Sequence, residues 1–389
     1  MSAYILNFHD TVLLATGFQC LLFIFLIWFA KYEHHTSDYL LIGFFVAQII
    51  IPLHVLANFN PQIRSLALAY SPNLLHIFDI AYWLEGPILL WYTRSILNRN
   101  FAFRKKDTLY VIPTFAYIIY MGVCFYSLAE PQKIQFLIDE QSLNAPSLKH
   151  TQDIIRESFR VFFGVLCLID IKRARSELRD WFSNIEKIDI GWLSILVVAF
   201  TAVRGWILLV VLVSVLVPNL GDSVFDYMGI AGNYLTFALL TALMFLSLQR
   251  SSIFDDSIAK DNSKAAPPAS KVDPELARKI ETHMSEEKPY LSPLLNLEQL
   301  ASQLSMHPRA LSLAIKSQFK TNFYEFVNSY RINEAKRILA DSQQKHKTMI
   351  EISLECGFNS KATYNSFFKK LVSTTPSQYR SVSLAKQVD

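Results

Sequence analysis

LEQLASQLSMHPRALSLAIKSQFKTNFYEFVNSYRINEAKRILA, residues 297–340, and MIEISLECGFNSKATYNSFFKKLVSTTPSQYR, residues 349–380, decide the fold. Leu297, Leu300, Ala301 and Leu304 recur at helical spacing and lay one apolar stripe against a core. Ser305, Met306 and His307 interrupt that helix, and Pro308 suits the first turn of the next, where its missing N–H would have no partner anyway. Leu311, Ala314 and Ile315 then form a buried face, leaving Arg309, Ser312 and Lys316 on other faces. The second half repeats the plan. Ile350, Ile352 and Leu354 carry a helix that stops at Gly357, the residue that most easily takes a left-handed cap. Asn359 is the expected N-cap of the next helix, with Tyr364, Phe368 and Leu371 on its buried side and Lys361, Asn365 and Ser366 outward; Pro376 ends the unit. The pattern predicts two helix-turn-helix units joined by a longer amphipathic helix.

Composition bounds the rest. The chain has 389 residues, 52% of them hydrophobic and only 18% charged, where a soluble protein would carry about a quarter. Basic and acidic counts nearly balance, so net charge names no partner. Cys20, Cys124, Cys167 and Cys356 lie in apolar or helical stretches without close spacing and read as buried thiols, neither a disulfide frame nor a metal site. The apolar excess falls before residue 250, which predicts a membrane domain with a soluble tail.

Seven apolar runs are expected to cross a bilayer of about 30 Å, at 11–30, 38–59, 72–97, 108–129, 153–171, 191–217 and 223–248. The first has no basic residue ahead of it and so is not read as a cleaved signal peptide. The fifth is the weakest, because Arg156, Glu157 and Arg160 crowd its start, and an interfacial helix is its alternative. With the N-terminus outside, Lys31, Arg94, Arg99, Arg104, Lys105, Lys106, Lys172, Arg173, Arg175, Arg179 and Lys187 fall on cytoplasmic loops, against Arg64, Lys133 and Lys149 outside. Seven crossings also bring the tail into the cytoplasm. Residues 250–273, rich in Ser, Ala and Pro, read as a flexible linker, and 274–389 as a tail domain able to fold alone.

Two charges have no ordinary place in lipid. Glu85 and Arg204 each lie near the middle of their spans, at similar depth, and are expected to pair; Asp79 is the alternative partner for Arg204. The adjacent His34 and His35 read as a solvated turn sooner than as a metal site. The chain has no Gly-rich phosphate loop, no metal-spaced His/Cys cluster and no nucleophile with a base at recognisable spacing. No enzymatic activity, cofactor or metal is therefore expected.

The tail resembles the DNA-binding domain of the AraC/XylS family of bacterial transcription regulators. The resemblance is carried by Leu297-x-x-Leu300-Ala301, Pro308-x-x-Leu311-Ser312, Arg331-Ile332-x-x-Ala335, Ile352-x-x-x-Cys356-Gly357-Phe358, Phe368-Lys369-Lys370 and Thr375-Pro376-x-x-Tyr379-Arg380, over about a fifth of the chain. The family usually has Gly where Lys320 and Ser373 stand and a Ser cap where His307 stands. A multi-helix membrane domain ahead of such a tail is similar to one subset of the family. In that subset the run from Trp181 to Ile188, Gly191-Trp192-Leu193 and the Gly86-Pro87 pair before Trp91-Tyr92 also look familiar. The resemblance implies base-reading positions at Arg309, Ser312, Leu313, Lys361, Ala362, Asn365 and Ser366. Lys316, Lys320, Arg331, Lys336, Lys369, Lys370 and Arg380 are candidates for phosphate contacts, with a structural role the alternative for Arg331 and Arg380.

The expected fold is thus all-α, a polytopic transmembrane helix bundle (1–249) followed by a soluble domain with two helix-turn-helix units. The expected function is that of a one-component transcription regulator in the bacterial inner membrane. Its partners would be promoter DNA, the lipid bilayer, RNA polymerase, an unknown small-molecule or protein signal, and a second copy in a homodimer. The alternative is a membrane receptor or transporter whose tail only docks other molecules; the paired repeats and broken helices of a transporter are not evident.

Overall fold

The computed structural model describes residues 6–30, 34–98, 101–141, 147–184, 191–217, 222–249 and 274–385. The fold is all-α, and the described residues form no strand. The chain divides into two compact units, Met1–Ile171 with Ile190–Asp261, and Lys172–Asp189 with Asn262–Asp389.

The first unit contains α1 (Phe8–Ala30), α2 (Thr36–Phe59), α3 (Pro61–Tyr70), α4 (Ile80–Leu97), α5 (Ile112–Met121), α6 (Glu130–Gln141), most of α7 (Ser147–Trp181), α8 (Gly191–Leu216) and α9 (Asp222–Gln249). Short 3-10 turns, Pro72–Leu75 and Ile77–Asp79, lead into α4; a 3-10 turn and a π-helical turn flank α5. Among the described residues, five segments are long and apolar enough to cross a membrane: Phe8–Phe29, Thr36–Phe59, Pro72–Leu97, Lys105–Tyr126 and Gly191–Leu216. The expected fifth and seventh spans fall within α7 and α9, which are not among these five. Helices α3 and α6, polar enough to escape an apolar-run reading, were not expected.

Helix α1 packs on α2 and α9, α2 on α4, and α8 on α9. Pro87 leaves the Trp83 carbonyl without its helical donor. The Thr114 hydroxyl of α5 donates to that carbonyl at 3.4 Å, so the break in α4 becomes a tie to its neighbour. Helix α7 runs close to α8: a Cβ on Gly164 would stand 2.3 Å from the Thr201 hydroxyl, and one on Gly86 of α4 2.9 Å from the Phe163 ring. Glycine at these places lets the helices approach at the distance the buried side chains require. Outward, α1 exposes Leu14, Phe18, Phe25 and Phe29 while burying Cys20, Phe23 and Ile27. Apolar residues thus lie on both faces of this helix, and aqueous solubility gives no reason for the outer ones.

The second unit contains α10 (Pro274–Glu286), α11 (Leu297–Gln303), α12 (Pro308–Gln318), α13 (Phe323–Ala340), α14 (Met349–Glu355), α15 (Lys361–Val372) and α16 (Pro376–Ala385). Two apolar cores are strung on α13. Its first half gives Phe323, Phe326 and Val327 to a core with Leu297, Leu300, Leu311 and Ile315. Its second half gives Ile332, Ala335, Ile338 and Leu339 to a core with Ile352, Phe358, Tyr364 and Phe368. Leu371, expected inside, is exposed, as are Ile350 and Leu354, and Phe367 is buried.

Residues 172–184, expected as part of a connecting loop, also belong to this unit. They are the end of α7 and a short extended strap. Trp181 packs on the first core, Phe182 forms an isolated antiparallel bridge with Asn296, and the Ser183 backbone N–H donates to the Leu295 carbonyl at 3.3 Å. The 250–273 stretch, expected as a linker, lies outside the described residues.

Candidate nucleic-acid interface and a buried charge cluster

In the first helix-turn-helix unit Asn296 caps α11, its side chain accepting from the Gln299 backbone N–H at 2.9 Å while Gln299 reaches back to the Asn296 N–H at 3.0 Å. Ser305 turns the chain with a left-handed φ of 54°, and His307 caps α12, its Nδ1 accepting from the Arg309 N–H at 3.2 Å. An imidazole nitrogen thus does the work of the serine usual in the resembled family. Leu311, Ala314 and Ile315 point into the core, and Arg309, Ser312, Leu313 and Lys316 occupy positions i, i+3, i+4 and i+7, one face of the helix. Arg309, Leu313 and Lys316 are exposed and Ser312 half-buried, so this face is presented outward.

The second unit is capped at both ends of its turn. Thr348 and Glu351 form a reciprocal capping box on α14. Gly357, at φ 85°, closes that helix where a Cβ would stand 2.5 Å from the Tyr290 carbonyl oxygen. The N-cap of α15 is Ser360, accepting from the Thr363 N–H at 3.2 Å, and not the expected Asn359. Lys361, Ala362, Asn365 and Ser366 are all exposed on α15. Each unit therefore offers the outer face of its second helix, the geometry with which such helices lie in a major groove and meet base edges.

The phosphate candidates separate into two sets. Lys320, at φ 52°, and Lys369 are exposed, and Lys336 is half-buried. Lys370 is exposed but paired with Glu325 at 2.8 Å, and Lys316 with Asp180 at 2.6 Å. Arg331 cannot reach a phosphate, because its side chain is 1% exposed. Its Nε donates to the Tyr290 carbonyl at 2.7 Å and Nη2 to the Ser292 carbonyl at 2.8 Å. Nη1 donates to Asn328 Oδ1 at 3.1 Å and to the Ser183 carbonyl at 3.2 Å. Burial without a carboxylate partner pulls this guanidinium down to about 10, still charged at neutral pH. Arg331 thus ties the strap, the turn before α11 and α13 together. Arg380 is half-buried and donates to the Lys345 carbonyl at 3.4 Å, which supports the turn before α14.

In the first unit Glu85 is fully buried, and Arg204 Nη2 donates to its Oε1 at 2.6 Å. The pair is part of a larger cluster. Arg160 donates to the other oxygen through Nε at 2.6 Å, and the Gln48 amide also donates to Oε1. Arg160 bonds Glu157 at 2.8 Å, Arg156 bonds Glu157 at 3.1 Å and Asp153 at 3.0 Å, and both guanidiniums lie over the Tyr82 ring. Three carboxylates thus face three guanidiniums. Asp79 does not meet Arg204. It accepts from His76 at 2.8 Å and from the Tyr117 hydroxyl at 2.7 Å, with His54 at 3.1 Å. The signal available in the sequence was the run Arg156, Glu157, Arg160, whose helical spacing puts three charges on one side of an otherwise apolar segment.

A family described as a helix-turn-helix domain matches residues 300–381. An uncharacterized HTH-type transcriptional regulator of Bacillus subtilis (strain 168), YtdP, is 33% identical over 86 residues, which are 22% of this chain and 11% of that protein. The chain thus covers about a tenth of that relative's length. No solved structure matches the chain. The C-terminal part carries an AraC-type helix-turn-helix domain, and these findings support a DNA-binding regulator.

Proposed function

We propose that this protein is a membrane-embedded one-component transcription regulator. Its second unit reads promoter DNA, and its first unit lies in the bacterial inner membrane and senses a signal. The observation that carries the reading is the joint presence in one chain of two outward-facing second helices on one spine, α13, and five long apolar helices. Arg309, Ser312, Leu313, Lys361, Ala362, Asn365 and Ser366 are the proposed base-reading positions, and Lys320, Lys336 and Lys369 contact phosphates. Two such helices enter successive major grooves about one helical turn apart. The N-terminus lies outside and the DNA-binding unit in the cytoplasm, the orientation favoured by basic residues on the inward segments. RNA polymerase is the proposed downstream partner, and a homodimer the proposed assembly.

A buried cluster of paired charges supports a sensing role for the first unit. Intramembrane ionisable groups are costly, face the bundle interior and commonly mark functional sites. The reading is tested by transcription of neighbouring genes in cells carrying the Arg309→Ala/Lys361→Ala double variant. Their expression is expected to change while the protein still sediments with membranes. Unchanged expression would leave the tail as a docking module.

A further inference from the structure

The strap 172–184 is built into the DNA-binding unit at a place that bears on DNA affinity. Lys316 shares the outward face of α12 with Arg309, Ser312 and Leu313, and its ammonium lies 2.6 Å from the Asp180 carboxylate in the last turn of α7. An ordinary surface ion pair of this kind is weak, because either side chain swings away at little cost. Asp180 is held more firmly. The next residue, Trp181, packs on the first core. Two residues further, the Ser183 hydroxyl donates to the Leu295 carbonyl, its own carbonyl accepts from Asn328 and Arg331 at 3.2 Å, and its oxygen accepts from Arg331 Nη2 at 3.2 Å. The carboxylate is therefore fixed beside the reading face, where a phosphate approaching Lys316 would meet a negative charge.

We propose that the end of α7 is a brake on the first reading helix, with Asp180 the residue that sets its strength. The proposal rests on the DNA-binding reading above. For Lys316 to take a phosphate, it must exchange the Asp180 carboxylate for it. Docking of the strap and full engagement of DNA by α12 therefore oppose each other, and by linkage each weakens the other. The rest of α7, up to Ile171, belongs to the first unit.

The test uses the full chain in nanodiscs of neutral phosphatidylcholine and a random-sequence duplex of about 30 base pairs, whose binding rests on phosphate contacts. Affinity is measured against salt. Each phosphate contact adds about 0.9 to the slope of log affinity on log salt, so one more contact deepens the loss between 50 and 200 mM salt roughly threefold. Asp180→Asn, a neutral substitution of the same shape at a partly exposed position, is expected to steepen the slope by that amount. Asp180→Asn with Lys316→Gln is expected to match Lys316→Gln alone, because the gained contact is made by Lys316. Glu177→Gln, which removes a neighbouring exposed carboxylate, is expected to leave the slope unchanged. An Asp180→Asn slope equal to wild type overturns the brake, as does a gain that persists without Lys316 or one that Glu177→Gln reproduces. Absence of DNA binding in every variant overturns the DNA-binding reading, and the brake with it.

Discussion

Single residues show where this chain departs from an ideal helix-turn-helix and what the departure costs. Lys320 and Ser373 sit at φ 52° and 63°, conformations that a side chain with a Cβ adopts at a cost and glycine does not. Lys320→Gly and Ser373→Gly are each expected to stabilise the second unit by about 0.5–1 kcal/mol, the relief of strain exceeding the entropy glycine adds to the unfolded chain. Denaturant midpoints check this, and a lower midpoint for both would contradict it. Glu334 gives a second handle. The hydrogen bond from Arg337, with the nearby Lys288, holds its carboxyl below the ordinary carboxylate range. A carboxylate with a depressed folded pKa contributes stability that is present above its unfolded pKa and lost as pH falls through the folded one. The second unit is therefore expected to weaken as pH drops below about 4.5. Glu334→Gln should flatten that dependence in thermal melts, and an equally steep acid limb in the variant would show that other groups carry it.

At the scale of elements, the two helix-turn-helix units were legible because their signals are local. Apolar spacing fixed α11, α12 and α15, and Pro308 and Gly357 marked the breaks. Local signals also explain the misses. Asn359 and Ser360 are both good N-caps, and only the placed backbone decides between them. Ile350, Ile352 and Leu354 mark α14 as a helix, and only the placed backbone shows that Ile352 is buried while Ile350 and Leu354 are exposed. The strap could not be found this way, since its contacts join residues more than a hundred positions apart. For Arg331 a phosphate contact and a structural role were both open in the sequence, and its carbonyl partners, Ser183, Tyr290 and Ser292, all lie far along the chain. A fragment of residues 274–389 lacks Ser183 and leaves part of that guanidinium unbonded. A peptide of residues 172–184 is expected to bind the fragment and raise its melting temperature, with the logarithm of peptide concentration once that exceeds the dissociation constant. A melting temperature indifferent to the peptide would mean that the strap contributes nothing to the unit.

At the scale of the whole molecule, the apolar runs lie in the first unit, and equal depth pointed to the pairing of Glu85 with Arg204. Only a pair was legible in the sequence, because depth along a span says which charges can offset one another and not which helices meet. Arg156, Glu157 and Arg160 make the fifth the weakest of the expected spans; in the fold they pair with Glu85, Asp153 and one another. The cluster predicts an asymmetry. Glu85 accepts from Arg204, Arg160 and Gln48, so Glu85→Gln leaves Arg204 without a carboxylate and Arg160 with Glu157 alone, and is expected to cost about 3–5 kcal/mol. Arg204→Gln leaves Glu85 bonded to Arg160 and is expected to cost less. Thermal melts of the detergent-solubilised variants decide this, and equal damage from both would remove Glu85 from the centre of the cluster. For the same reason, exchanging Glu85 and Arg204 should restore stability only in part, since Arg160 would then face a second cation.

The most direct test of the account is chromatin immunoprecipitation of the intact protein from its native cells, alongside the Arg309→Ala/Lys361→Ala variant, with membrane fractionation of the same cultures. The account predicts that the protein is recovered with the membrane, that it enriches a small set of discrete promoter sites, and that the double variant loses those sites while staying in the membrane fraction. Recovery of the intact protein in the soluble fraction, or promoter enrichment undiminished in the double variant, would contradict it.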